Sequence, residues 1–268
     1  MDSNVVQSIK KKTIVRVKRN QIPESISKNK QLNDSIAILP VNYNFEIHKT
    51  VWKISTDRTV KVVALQFPEG LLMYACIISD IIKTFCNIDV IILGDVTYGA
   101  CCVDDYTAEK LGAQMLIHYG HSCLVSVNQT RIRVMYVFVE IAFDPKHLIE
   151  CIVTVFNSEV RLALMGTVQF TTMLHSVKVG VEERCPHIKI QMPQAKPLSV
   201  GETLGCTSSL IKDSDTIVFV ADGRFHLEAA MIRNPHLKSL RYDPYAKVLT
   251  EEGCGHFETF CADLLLIS

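Results

Sequence analysis

The sequence predicts an α/β fold of tandem related domains with mainly parallel sheets, and three observations predict it. Short runs that are apolar at every position alternate with segments of helical period, the pattern of parallel strands covered on both faces. Residues able to do chemistry fall just after those runs, where the carboxyl ends of parallel strands gather ligands. The order of runs and polar residues then returns once, at an interval too long for a solenoid and suited to duplicated domains.

In chain order, residues 1–20 carry Lys10, Lys11, Lys12, Arg16, Lys18 and Arg19. They read as a flexible basic arm, either a solvated tail or an arm with a nuclear or nucleic-acid address. QIPESISKNKQLNDSIAILP follows as a short helix, and NYNFEIHKTVWKI as an extended segment. VVALQF (62–67) is a buried strand, and Pro68 suits the first turn of the helix PEGLLMYACIISDIIKTF. DVIILG (89–94) is a strand, followed by a loop with Cys101 and Cys102, the short helix DYTAEKLG and the strand QMLIHYG (114–120). RVMYVFVEI (133–141) is one further strand and PKHLIECIVTVF (145–156) a helix.

The second series opens with the strand RLALMGTVQF (161–170), the helix TTMLHSVKVGVEE and the strand IKIQMPQ (188–194). A loop with Cys206 leads to the strand TIVFVADG (216–223) and the helix HLEAAMIRN. The expected division is an arm over 1–20, a first α/β domain over 21–155, a second over 156–250 and a divergent tail over 251–268.

Composition narrows the function classes. An apolar fraction of 48% suffices for a real core, and 28 Lys+Arg balance 28 Asp+Glu, so the total charge predicts no direct nucleic-acid partner. No apolar run reaches the roughly 18–20 residues of a membrane span, and the first residues lack the apolar core of a signal peptide. The expectation is a cytoplasmic chain without a membrane partner, with the basic arm leaving a nuclear address open. In such a compartment the ten cysteines stay mostly reduced, and a functional subset points to metal or catalysis. Cys76, Cys86 and Cys151 lie in apolar-periodic stretches and read as core residues.

The two series can be laid over one another. Gln66 and Gln169 end the first strands, 103 residues apart. Cys101 and Cys206 lie in the second loops and His121 and His226 follow the third strands, each pair 105 apart. The interval of 20 residues from cysteine to histidine selects Cys101 over Cys102, because Thr207 stands where a second Cys102 would be. Cys102 then reads as a small buried side chain. Gln66, Cys101, His118, His121, Gln169, Cys206, Asp222, Arg224 and His226 all gather at strand ends.

Three chemistries compete for these thiols on the residues alone. Cys101, His118, His121 and Cys123 could hold zinc, although the spacing H-x-x-H-x-C is not a usual zinc signature. Cys101 could be a nucleophile beside a histidine. One cysteine from each repeat could instead converge on an iron–sulfur cluster with a position left open for substrate. Arg224 is placed to grip a carboxylate in a bidentate fork, and PEGLL is a helix start able to attract an anion.

The motifs LQFPEGLLMYA, GDVTYGACCVDDYTAEKLGA, HYGHSCLV, GETLGCTS, DGRFHLEAAMI and YDPYAKVL closely resemble the subunit 1 branch of the diphthamide synthase family, the 2-(3-amino-3-carboxypropyl)histidine synthases. The resemblance covers residues 17–250. It implies three related α/β domains, each giving one cysteine to a [4Fe-4S] cluster whose remaining iron is open to S-adenosylmethionine. It also implies a transferase: an electron from the cluster releases a 3-amino-3-carboxypropyl radical, which adds to the imidazole of one histidine of translation elongation factor 2. The implied partners are a paralogous second subunit in a heterodimer, elongation factor 2 as substrate, and small iron and electron donor proteins. Carried over by motif, Cys101 in GACC and Cys206 in LGCT are cluster ligands. His118, His121, Gln169, Asp222, Arg224 and His226 are candidates for the cofactor pocket by position, and no catalytic residue is assigned beyond the cluster.

The resemblance stops in GCGHFETFCADLLLIS, where Cys254 and Cys261 are out of register with the repeat. Repeat arithmetic places a third copy from about residue 265, with its ligand beyond roughly residue 300. The expectation is therefore a C-terminally truncated chain without the family's third domain and third cysteine, inactive alone. The alternative is a non-catalytic isoform that binds the partner subunit or elongation factor 2.

Overall fold

The computed structural model describes residues 21–95, 101–122 and 124–253. The basic arm and the cysteines of the tail, Cys254 and Cys261, lie outside the described residues.

Two short helices open the fold, α1 (Glu24–Ser27) and α2 (Lys30–Ile36), the second capped by the Asn29 side chain, which accepts from Leu32 N–H at 3.1 Å. The segment read as extended is so only at β1 (Tyr43–Asn44); from Ile47 it is the helix α3 (Ile47–Thr56). Its buried residues Ile47, Thr50, Val51 and Ile54 fall at helical spacing, and that period outweighs the alternation of NYNFEI.

The first sheet holds β2 (Val62–Gln66), β3 (Asp89–Ile92), β4 (Met115–Tyr119) and β5 (Arg133–Val137), all parallel, in the order β3-β2-β4-β5. A 3-10 turn, Glu69–Tyr74, leads from β2 into α4 (Ala75–Cys86), and α5 (Asp105–Lys110) precedes β4. The run 133–141 is two strands, because Val139 has φ +56 and turns the chain; β6 (Glu140–Ile141) pairs antiparallel with β1. A β-branched residue in that region is strained, so the turn is held by its surroundings: Val139 is 1% exposed.

After α6 (Pro145–Val155), the second sheet begins with β7 (Val160–Gly166), α7 (Thr171–Arg184) and β8 (Ile188–Gln191). It continues with β9 (Thr216–Val220), α8 (Phe225–Arg233), β10 (Lys238–Asp243) and β11 (Val248–Glu252). The order is β11-β10-β9-β7-β8, parallel except for β11. Read from β8, its four parallel strands repeat the order of the first sheet. β4 and β9 are buried at every position, as strands covered on both faces must be.

Register corrects one pair of the repeat. The last ladder partners are Gln66 with His118 in the first sheet and Gly166 with Val220 in the second. Gly166 thus stands where Gln66 stands, and Gln169 lies three residues further on, in a 3-10 turn (Val168–Phe170) rather than in a strand. Only glycine fits at 166: a Cβ there would lie 2.7 Å from the Val220 carbonyl oxygen.

The helix α6, which sequence order put in the first domain, buries Leu148, Ile149 and Ile152 in the core of the second sheet with Leu174, Val177 and Val181 of α7. Glu251 and Glu252, at the head of the supposed tail, close β11. Ile152→Ala is therefore expected to cost about 2–5 kcal/mol in urea unfolding. Hydrogen exchange should rise in α7 and β8 while β2 and β4 stay protected; loosening of the first sheet instead would refute this assignment.

Candidate functional site

The carboxyl end of the first sheet is organised by one amide. Gln66 is the last residue of β2 and 3% exposed. Its Nε2 donates to the Cys102 carbonyl at 2.8 Å, and its Oε1 accepts from Asp104 N–H at 3.2 Å. A backbone carbonyl can only accept and a backbone N–H can only donate, so these two partners fix which way the amide points. His118 Nδ1, 2.9 Å from the same Oε1, must then be the donor. The ring is the Nδ1–H tautomer, and its Nε2 is bare and buried without a partner.

The two cysteine loops are built differently. Cys101 and Cys102 are both exposed free thiols with Sγ atoms 3.9 Å apart. Cys102 is thus not the buried packing residue expected of it: Gln66 holds its backbone and leaves the thiol outside. Cys76 is exposed as well, and Cys86 and Cys151 are half-buried rather than core. Cys206 sits near the tip of a tight turn in which Leu204 and Thr207 exchange both backbone hydrogen bonds at 3.2 Å. A Cβ at Gly205 would lie 2.5 Å from the exposed Phe225 ring, so a larger residue before the thiol would have to push that ring aside. Leu204 is buried with Leu198, and Leu124 of the first half packs against them.

His118, His121 and His226 converge, although 121 and 226 do not match in register. The His118 and His121 rings are 5.5 Å apart, and His226 is close enough to His121 to oppose its protonation. Burial is the main cause that holds all three neutral: His118 is pushed down to about 3, with His121 adding to the effect. His121 falls to about 4, with His226 adding, and His226 is lowered by burial against an opposing pull from Asp222. His121 Nδ1 and His226 Nδ1, like His118 Nε2, are buried without partners. Gln169 Nε2 donates to the Gly120 carbonyl at 3.1 Å, tying the second half to the end of β4.

Between the halves lies a cavity of about 220 Å³ lined by Tyr43, Pro68, Gln169, Asp222, His226 and Tyr245, among others. Arg224 is exposed, but its guanidinium is engaged by Glu228 at 3.2 Å and Glu252 at 3.3 Å. Among the described residues no group of three or more His, Cys, Asp and Glu is placed to hold a metal ion. Cys123, invoked for zinc, lies outside the described residues.

Four residues of this region carry no signal of that role in the motifs: Gln66, Glu202, Tyr43 and Tyr245. Gln66 shows only as a polar residue closing an otherwise apolar strand. Glu202 is 1% exposed, accepts from Ser122 Oγ of the first half and from Ser199 N–H at 2.9 Å, and has its carboxyl raised by burial. Tyr43 and Tyr245 share a hydrogen bond of 2.9 Å across 202 positions of sequence, and nothing local announces that pair.

A family model for the "diphthamide synthesis protein" matches residues 67–260. The chain is 52% identical over 241 residues to the 2-(3-amino-3-carboxypropyl)histidine synthase subunit 1 of Dictyostelium discoideum, covering 87% of this chain and 50% of that protein. It is 51% identical over 244 residues to that of Schizosaccharomyces pombe, covering 89% and 56%, and 50% identical over 238 residues to that of Gallus gallus, covering 88% and 57%. The chain thus spans half to three fifths of the length of these relatives. Among solved structures it is similar to Dph2 from Pyrococcus horikoshii, with TM-score 0.68 and 26% identity, covering 80% of this chain and 61% of that one. It is also similar in fold to the same protein with a 4Fe-4S cluster, with TM-score 0.72 and 24% identity, covering 81% and 63%.

Gln66→Leu keeps the volume and removes both hydrogen-bonding ends, so about 2–4 kcal/mol of stability should go and amide exchange at 102–104 should rise. Unchanged exchange there would refute the clamp. The histidines set a pH dependence. Their folded values lie below the ordinary 6.5, so the unfolded chain takes up their protons first. Their contribution is complete above pH 6.5 and is lost as pH falls toward 3–4, with each histidine adding a slope of up to about 1.4 kcal/mol per pH unit. Urea midpoints should therefore drop between pH 7 and 5.5, and the drop should shrink in His121→Asn; an equal drop in both proteins would refute the attribution.

Proposed function

Because the chain belongs to the diphthamide synthesis protein family, we propose that it is a subunit of the iron–sulfur enzyme that moves a 3-amino-3-carboxypropyl group from S-adenosylmethionine to a histidine of elongation factor 2. The observation that carries this reading is the pair of free, exposed thiols Cys101 and Cys206, each in the loop after the second strand of a sheet with the same strand order. Thiolates are the usual cluster ligands, and the similar Dph2 is described with a 4Fe-4S cluster.

The donor set fits such a group in part. Cys101 and Cys206 would hold two corners, and a third thiolate would come from outside the described residues. When bound, the cluster would supply the single electron that opens the sulfonium carbon–sulfur bond. The chain's own residues do the rest. Gln66 fixes the backbone beside Cys101, and the turn over Gly205 presents Cys206. Asp222, on the rim of the cavity, would pair with the ammonium of the methionine moiety. His121 Nδ1, His226 Nδ1 and Gln169 would supply neutral hydrogen-bonding groups. Arg224 would release Glu228 or Glu252 before gripping a carboxylate, which makes it the weakest of the pocket candidates. His118 is spent on Gln66 and acts on the loop rather than on a ligand.

The relatives are named as subunits, which supports a partner subunit in a complex. The proposed setting adds a paralogous second subunit as that partner, elongation factor 2 as substrate, iron or electron donor proteins, and the cytoplasm. Anaerobic reconstitution with iron and sulfide, EPR and labelled transfer from S-adenosylmethionine in the presence of the partner subunit test the proposal. Cys101→Ala and Cys206→Ala should each lower bound iron and abolish transfer. The chain alone should bind fewer than the four irons of such a cluster. Full iron and transfer in both variants would overturn the ligand assignment. Binding to the partner or to elongation factor 2 without iron or transfer would establish the binding-module alternative instead.

A further inference from the structure

Cys102 is not needed by the cluster reading, yet it is the thiol beside Cys101. In the second half the matching position is Thr207, whose hydroxyl donates to Cys206 Sγ at 3.7 Å. In the first half a second sulfur takes that place, 3.9 Å from the first, and both thiols are free and exposed. The Gln66 hydrogen bond of 2.8 Å to the Cys102 carbonyl anchors the peptide that leads out of the pair, between Cys102 and Val103.

Exposure rules out packing as the purpose of the doublet. A disulfide fits poorly: neighbouring Cα atoms across a trans peptide are about 3.8 Å apart. Disulfides favour roughly 4.4–6.8 Å, and the sulfurs would have to close to about 2.05 Å. A single soft atom between the sulfurs asks for far less movement. With bonds of about 2.3 Å and an angle between a right angle and the tetrahedral value, two thiolates on one centre sit about 3.3–3.8 Å apart. The present separation is just outside that range, within the reach of a small side-chain rotation.

We propose that Cys101 and Cys102 form a chelating vicinal dithiol, a binding site for soft electrophiles that take two thiolates, of the class of monosubstituted trivalent arsenicals. In the capture step an arsenic–oxygen group meets two thiols. Two S–H bonds break, two As–S bonds form, and the oxygen leaves as water. Arsenic stays trivalent, so no oxidant or reductant is required. The chelate engages the Cys101 sulfur, and blockage of iron loading is a consequence that rests on the cluster reading above; the capture itself does not.

The test titrates the reduced, cluster-free chain with phenylarsine oxide and follows intact mass, free thiols and peptide maps. One equivalent should be retained with the loss of two thiols, mapped to residues 101–102, and removed by a dithiol but not by a monothiol. Retention should fall at least tenfold in Cys101→Ser and in Cys102→Ser and persist in Cys206→Ser, with urea midpoints unchanged in all three. An adduct that survives in Cys102→Ser, or that maps elsewhere, overturns the site. Iron uptake by the arsenical-loaded protein separates the two readings: full uptake would refute Cys101 as a cluster ligand and leave the dithiol site standing.

Discussion

The organisation of the site depends on the side chain of Gln66. A parallel strand buried on both faces has no use for a polar side chain along its length, and an unpaired amide there would cost about as much as several good contacts return. Gln66 is tolerated because all of its capacity used here meets a partner: the Cys102 carbonyl, the Asp104 N–H and His118 Nδ1. The same bonds that satisfy the amide decide where the cysteine loop leaves the sheet and which nitrogen of His118 carries the proton. Asp104 then caps α5, its side chain accepting from Thr107 N–H at 3.0 Å, so the clamp extends from a strand through a loop into a helix.

The second half solves the same problem without that amide. Gly166 replaces Gln66, and its N–H and carbonyl bond to Gly201 and Thr203, which lays the segment leading to Cys206 along the strand end. One thiol loop is thus held by a side chain and the other by backbone, on sheets of the same strand order. The halves are joined where their strand ends meet, by Gln169 to Gly120, Ser122 to Glu202 and Tyr43 to Tyr245. Each of these bonds pairs a side chain of one half with a group of the other, and Leu124 of the first half adds an apolar contact to Leu198 and Leu204 beside the Cys206 turn. The apolar cores of the sheets remain separate clusters.

Much of this was legible in the sequence, for physical reasons that differ from residue to residue. VVALQF and TIVFVADG announce strands because burial on both faces leaves only apolar choices, and Pro68 marks a helix start because its fixed φ suits one. The duplication was legible because two sheets of one topology must repeat their punctuation. What failed was register: equal spacing matched Gln66 to Gln169, whereas ladder pairing matches Gln66 to Gly166, because loops of unequal length absorb the difference. The helix α3 was hidden by the short alternation before it, and the turn at Val139 by a run of strand-forming residues. Exposure of Cys102 was not legible, since it depends on a hydrogen bond from a residue 36 positions away.

The charge state of the cleft then follows from burial. A protonated imidazole there would give up its hydration without a carboxylate close enough to replace it, so His118 and His121 stay neutral at ordinary pH, and the nearby arginines are already paired, Arg224 with Glu228 and Glu252 and Arg241 with Glu252 and Asp243. The remaining formal charge on the cavity wall is the carboxylate of Asp222. A space lined by the neutral imidazole of His226 and the carboxylate of Asp222 does not repel a cation. The same space with protonated histidines would repel it. Desolvation thus keeps these histidines from opposing the positively charged ligand proposed for the cleft.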